Sequence, residues 1–239
     1  MDGLFNIHKP SGISSAKCVY RIRKWTGIKK SGHAGTLDPA AAGVLLVCQG
    51  KATKLVERLM DLPKTYVAAA RLDVTSDSFD AERPFIPVDV PTIPTRDDLD
   101  RTAQTFVGQI MQAPPAFSAI KVAGRPAYKS AAKGKPLNLK PRPVQVYAFD
   151  VLDYAWPEVT FKIDCGRGTY IRSLIRDWGD ALSAGGCLTA LTRTGVGPFR
   201  TDTAIALENL DEHDPANTII AIETVLTLIE AAQYDNASP

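Results

Sequence analysis

Acidic residues are almost missing from the first fifth of this chain. Between Gly3 and Lys54 the only Asp or Glu is Asp38, set among Lys9, Lys17, Arg21, Arg23, Lys24, Lys29, Lys30, Lys51 and Lys54. Other absences exclude whole classes of function. No apolar run approaches the ~20 residues of a membrane span, and no signal-peptide pattern opens the chain, so neither a membrane nor an export role is expected. The four cysteines, Cys18, Cys48, Cys165 and Cys187, include no C-x-x-C pair. They read as reduced, mostly buried thiols of a cytoplasmic protein. The three histidines lack local Cys or acid partners at ligand spacing, so no metal site is expected.

What is present is ordinary globular composition with uneven charge. A length of 239 residues allows one large domain or two small ones. The net charge of +2 hides the segregation. Residues 101–149 hold eight Lys or Arg and no acid, and residues 201–239 hold eight acids and no Lys or Arg. Two basic regions with an acidic tail point to a polyanion-binding face. Simple solvation of exposed loops by Lys and Arg explains the composition equally well.

The hydrophobic pattern orders the elements. "LFNIHKP" reads as a strand ended by Pro10. A helix follows, capped by Ser14 or Ser15 and closed by Gly27. Cys18, Ile22 and Trp25 form its core stripe; Lys17, Arg21 and Lys24 form a basic one. "VLLVC" reads as a buried strand, "ATKLVERLMDL" as a helix with Leu55, Val56, Leu59 and Leu62 inward, and "KTYVAAAR" as a strand. Thr95 opens a helix to about Val107. Residues 113–143 mix Pro, Gly, Lys and aromatics and read as an inserted hairpin plus short helix. "RPVQVYAFDVLDY" and "EVTFKIDCG" are strands, "TYIRSLIRDWGDAL" is a helix, and the tail from Asp214 is one acidic amphipathic helix. Strands and helices do not alternate regularly, which argues against a doubly wound parallel sheet. The expected class is α+β, a mixed, mostly antiparallel central sheet flanked by helices, as a single domain over 1–239.

The isolated acid has two readings. Asp before Pro is a common helix start, with Asp38 capping "PAAA" and Gly43 ending it. Four residues make barely one turn, however, and the cap does not explain the bare neighbours Gly32 and Gly35. An ionised, approachable carboxylate in basic surroundings suits nucleophilic catalysis. It suits two-carboxylate glycoside chemistry poorly, because no second acid is near in sequence. A second constellation is "CGRGTYIRSLIRD", where Tyr170, Arg172 and Arg176 lie near one helix start. It is an anion site or an ordinary solvated helix. Tyr66, Tyr128 and Tyr170 fit either half-buried packing or stacking on splayed RNA bases.

Together these pieces resemble the bacterial tRNA pseudouridine synthases that modify the T-loop uridine, the TruB family. "GHAGTLDPAAAGVL" is similar to the catalytic motif, "HKPSGISS" to the N-terminal motif and "KTYVAAARL" to the tyrosine-bearing strand. "PPAFSAIKVAGRPAYKSAAKG" is similar to the RNA-gripping insertion, and "GTYIRSLIRDWG" and "LTRTGVGPF" to the later motifs. The resemblance implies the pseudouridine synthase fold and isomerisation of a tRNA uridine, position 55, with no cofactor and no metal. It implies a base flipped from its stack and Asp38 as nucleophile, attacking either C6 or the anomeric carbon. Tyr66 would stack on the base. Arg172 would pair with Asp38, and Tyr170 would pack at the base edge and assist proton removal. Leu191 would supply an apolar wall, Lys9 and Pro10 would brace the Asp38 loop, and His33 would contact displaced bases. The implied partner is the tRNA T stem-loop, and nothing demands more than a monomer. The chain departs from the family pattern at His8, Asp73, Gly166, Trp178 and Thr192, and a small C-terminal RNA-binding domain of many relatives is expected to be absent. The rival readings are a non-catalytic RNA binder and a guide-directed relative acting on another RNA.

Overall fold

Ser14 starts the first helix as its chemistry requires. Its side chain accepts from the Lys17 N–H, and Gly27, at φ 72°, closes the helix by donating to Arg23 O. In this computed structural model residues 1–118, 120–122, 125–131, 137 and 139–235 are described, with backbone alone for 121, 122, 125, 126, 128, 129 and 233–235. The first elements are β1 (Gly3–Lys9), α1 (Ser15–Thr26), β2 (Ser31–His33), β3 (Ala42–Gln49), α2 (Val56–Asp61) and β4 (Lys64–Arg71). Next come β5 (Val74–Thr75), β6 (Ile86–Pro87), α3 (Arg96–Gln104), β7 (Gly108–Gln112), β8 (Lys121–Val122), β9 (Arg125–Pro126), α4 (Ala127–Ala131), β10 (Arg142–Ala155), β11 (Glu158–Cys165) and α5 (Ile171–Ala181). The last are β12 (Cys187–Val196), β13 (Phe199–Arg200), β14 (Ile205–Ala206), α6 (Pro215–Thr218), β15 (Ile220–Ala221) and α7 (Ile222–Asp235).

These elements form two compact units, Met1–Tyr66 with Leu191–Pro239, and Val67–Ala190. The chain leaves the first unit within β4 and returns within β12. In the first unit β3 pairs antiparallel with β1 and β2, and parallel with β12 through Thr192↔Ala42 and Arg193↔Gly43. Leu4, Val44, Leu46, Cys48, Leu59 and Leu62 build its core. Leu55 and Val56 pack against this core as the sequence pattern predicts, but Gly50–Leu55 is a 3₁₀ turn leading into the shorter α2.

The tail corrects its sequence reading. The predicted single helix from Asp214 is α6, β15 and α7. Asp214 and Pro215 do start a helix, which ends at Thr218. Ile220 and Ala221 then pair antiparallel with Leu4 and Gly3, so β-branched chain at the edge of β1 joins the ladder instead of extending the helix. Val225 and Ile229 of α7 are fully buried in the same core.

In the second unit β11, β10 and β7 pair antiparallel in that order. Phe149, Phe161 and Trp178 pack with ring centroids 4.9–6.1 Å apart, so Trp178, a departure from the family pattern, is absorbed into the core. Asp73, another departure, takes a two-pronged pair from Arg71 at 2.9 and 2.5 Å, and this bond holds its carboxyl below the ordinary value. The helix opened by Thr95 carries a capping box with Asp98 and stops at Gln104, sooner than predicted, before a turn into β7. The predicted hairpin plus short helix is present as β8, β9 and α4. The side chain of Tyr128, and residues 119, 123, 124, 132–136 and 138 of the insertion, lie outside the described residues. The α+β class, with a mixed, mostly antiparallel sheet and helices, is as the sequence suggests. All four cysteines are buried, and burial pushes the Cys48 thiol up to about 12.

Candidate active site

Asp38 caps no helix. Ala41 N–H donates to Asp38 O at 3.1 Å, closing a turn over Pro39 and Ala40, and β3 begins at Ala42. The loop is held chiefly by its main chain, and much of the grip comes from "HKPSGISS". Lys9, fully buried, donates to Pro10 O at 2.9 Å, Ile13 O at 2.8 Å and Pro39 O at 3.2 Å. Three carbonyls thus accept from an ammonium that would be costly to bury unbonded. Gly12 N–H donates to Pro39 O at 2.8 Å, and the Ser11 hydroxyl to Ala40 O at 2.7 Å. The buried Ser15 hydroxyl donates to Leu37 O and accepts from Leu37 N–H, both at 2.9 Å. Asp38 itself is half-buried.

Arg193 grips the same loop from β12. Its buried guanidinium donates to Val44 O at 2.8 Å and Gly35 O at 3.1 Å. Gly43, read in the cap hypothesis as a helix end, has another purpose. A Cβ there would lie 2.2 Å from Arg193 O, and φ is +105°, so a glycine lets β3 and β12 meet. Leu191, half-buried, stands two residues before Arg193 on the same strand. His33 ends β2; burial, and then the Arg193 charge, push its imidazole below the ordinary value. Tyr66 is 9% exposed, in the alternating part of β4. The first unit therefore holds Lys9, His33, Asp38, Tyr66 and Leu191.

The second unit holds Tyr170 and Arg172. Tyr170 precedes α5, and its peptide is clasped by buried Gln112, which accepts from Tyr170 N–H at 2.8 Å and donates to Tyr170 O at 3.1 Å. The Arg142 guanidinium lies 5.5 Å from its ring centroid. Arg172 is buried, donates to Ser78 O at 3.1 Å and Phe117 O at 3.0 Å, and faces Asp80 at 3.4 Å. Asp80 is set by "SDSFD": the Ser78 hydroxyl reaches its carboxylate at 2.5 Å, and Ser76 bonds both its N–H and its C=O. Arg176 instead bonds Asp177 at 2.8 Å and Ala113 O at 3.3 Å, and stands 4.8 Å from the Phe79 ring centroid.

Sequence reasoning missed Arg193, Asp80 and Gln112, and the hold of Ser11 and Ser15 on the Asp38 loop. Arg193 stands inside the motif "LTRTGVGPF", and the S-x-S-x-D spacing is the available signal for Asp80. Among the described residues no group of three His, Cys, Asp or Glu could hold a metal ion, and no helix is long and apolar enough to cross a membrane.

Compared with known proteins, residues 23–171 match the N-terminal domain of the TruB family pseudouridylate synthases. The chain is 40% identical over 227 residues to "tRNA pseudouridine synthase B" of Francisella philomiragia, covering 94% of this chain and 75% of that protein. Among solved structures it is similar to a chain of a Cbf5-Nop10-Gar1 complex, with TM-score 0.68 and 34% identity over 87% of this chain. A chain of an H/ACA ribonucleoprotein bound to a substrate RNA containing 2′-deoxyuridine gives TM-score 0.65 and 33% identity, also over 87%. The chain spans about half the length of these two solved chains, 54% and 52%. Motif order, fold and the loop built around one acid agree with these likenesses: the chain belongs to the TruB family of pseudouridylate synthases.

Proposed function

We propose that this chain isomerises a uridine in the T loop of tRNA, position 55, to pseudouridine. The observation that carries the reading is the Asp38 loop, a half-buried carboxylate whose flanking main chain is bonded by Lys9, Ser11, Gly12, Ser15 and Arg193. Rigid fixing of a nucleophile in a family of uridine isomerases is what the reaction needs.

In this reading the uridine leaves its stack and Asp38 attacks it, at C6 of the ring or at the anomeric carbon. The N-glycosidic bond breaks, the retained uracil rotates, a C–C bond forms between its C5 and the anomeric carbon, and the bond to Asp38 breaks to restore the carboxylate. A proton then leaves C5 or the sugar according to the route, with Tyr170 assisting. Tyr66 stacks on the base, Leu191 walls it, His33 meets displaced bases, and Arg172 holds Asp38 ionised. Residues 113–143 grip the RNA. No cofactor or metal takes part. The chain works on tRNA in the cytoplasm, as a monomer.

The test is tritium release from tRNA transcribed with [5-³H]uridine. Wild-type protein releases label, and Asp38→Asn does not while still binding tRNA. Absence of release by wild type overturns the enzyme reading; release by Asp38→Asn overturns the nucleophile.

A further inference from the structure

Helix α1 presents a face that the proposed reaction leaves unused. Lys17, Tyr20, Arg21 and Lys24 fall at i, i+3, i+4 and i+7, one continuous stripe. All four are exposed, Tyr20 at 60%. The opposite side of α1, with Cys18, Val19 and Ile22, is buried against the first unit, so the exposed face is fixed in direction. Among the described residues Lys17, Arg21 and Lys24 have no ion-pair partner, although α1 packs against the 207–212 turn bearing Glu208, Asp211 and Glu212. Tyr20 is thus a largely exposed aromatic ring set among cations.

The start of α1 touches the Asp38 loop. Ser15, its first residue, holds Leu37 through two hydrogen bonds. From Lys17 to Lys24 the stripe runs about 10 Å, the axial rise of roughly three nucleotides in a stacked strand. We propose that this face binds the phosphodiester backbone of the RNA strand that delivers the target uridine, with Lys17, Arg21 and Lys24 on phosphates and Tyr20 stacked on a base or ribose. The inference rests on the tRNA reading and adds to it a docking track outside the reacting group. Cations and an interleaved aromatic divide the labour: charge supplies salt-dependent affinity, and the ring supplies affinity that salt does not screen.

That division makes the proposal testable with the 239-residue chain and unmodified tRNA transcript. Binding is measured by fluorescence anisotropy across a KCl series, and turnover by single-turnover tritium release at saturating enzyme. Lys17→Gln/Arg21→Gln/Lys24→Gln should flatten the slope of log K against log [KCl] by about 2 to 3, and Arg21→Gln alone by about 1. Tyr20→Ala should weaken binding on the order of tenfold at unchanged slope, and Tyr20→Phe should restore it. Turnover at saturation should stay within about twofold of wild type in each, since the bonds that hold the Asp38 loop come from other residues. An unchanged slope in both charge variants, with wild-type turnover intact, overturns the track and leaves the tRNA reading standing. Failure of wild type to bind or isomerise tRNA overturns the tRNA reading instead. A Tyr20→Ala effect that disappears with salt overturns the stacking assignment.

Discussion

The two units hold their buried cations by different means. In the first, buried cations grip main-chain oxygen: Lys9 takes Pro10, Ile13 and Pro39 carbonyls, and Arg193 takes those of Gly35 and Val44. In the second, a buried cation faces a buried acid, Arg172 against Asp80, with both charges nearly excluded from water. Carbonyl dipoles satisfy a cation's protons without cancelling its charge. The first arrangement fixes a loop; the second fixes a side chain through a buried acid as well as the Ser78 and Phe117 carbonyls. Asp38, the proposed nucleophile, lies on the loop that the first arrangement fixes.

Substitutions can break this contrast. The largest effect is expected for Asp80→Ala, which leaves Arg172 without its buried acid and should cost about 3–5 kcal/mol of unfolding free energy, read by urea denaturation. A cost near zero would mean that Asp80 does not hold Arg172 and that the contrast fails. Arg193→Met removes the donors to two carbonyls, and a loss of about 2–3 kcal/mol is expected. Turnover should fall further than the folded fraction explains, because the Asp38 loop loosens. Ser15→Ala strands both polar groups of Leu37, at about 1–2 kcal/mol, in the same assay.

The smallest effect concerns pH. Burial and Arg193 hold the folded-state pKa of His33 below its ordinary 6.5. The unfolded chain therefore binds the proton first, and stability present above pH 6.5 is lost as the pH falls through the folded-state value. His33→Gln should flatten that part of the stability curve, and Arg193→Met should shrink it. An unaltered curve in His33→Gln would assign the dependence to other groups.

The sequence carried the local features well. Ser14 and Gly27 bound α1, the 113–143 insertion holds a hairpin and helix, and Lys9 braces the Asp38 loop as the motif implies. Features that depend on distant main chain were not legible. Arg193 meets carbonyls 149 and 158 positions away, and a carbonyl has no letter in the sequence. Asp-Pro followed by alanines looks like a helix start locally, but β3 takes up the chain from Ala42 onwards, pairing with β12 and β1, and only a turn fits before it. The tail misled in the same way, because the free edge of β1 decides the conformation of Ile220.

The buried thiols give the molecule reporters of its own motions. Cys18 and Cys48 lie in one unit, Cys165 and Cys187 in the other; all four are buried, and burial raises the thiol pKa of Cys18, Cys48 and Cys187. An alkylating reagent can therefore modify them only when the surrounding core opens. Pulsed labelling followed by peptide mapping would time the opening of each unit separately, in unmodified protein and with RNA bound or absent.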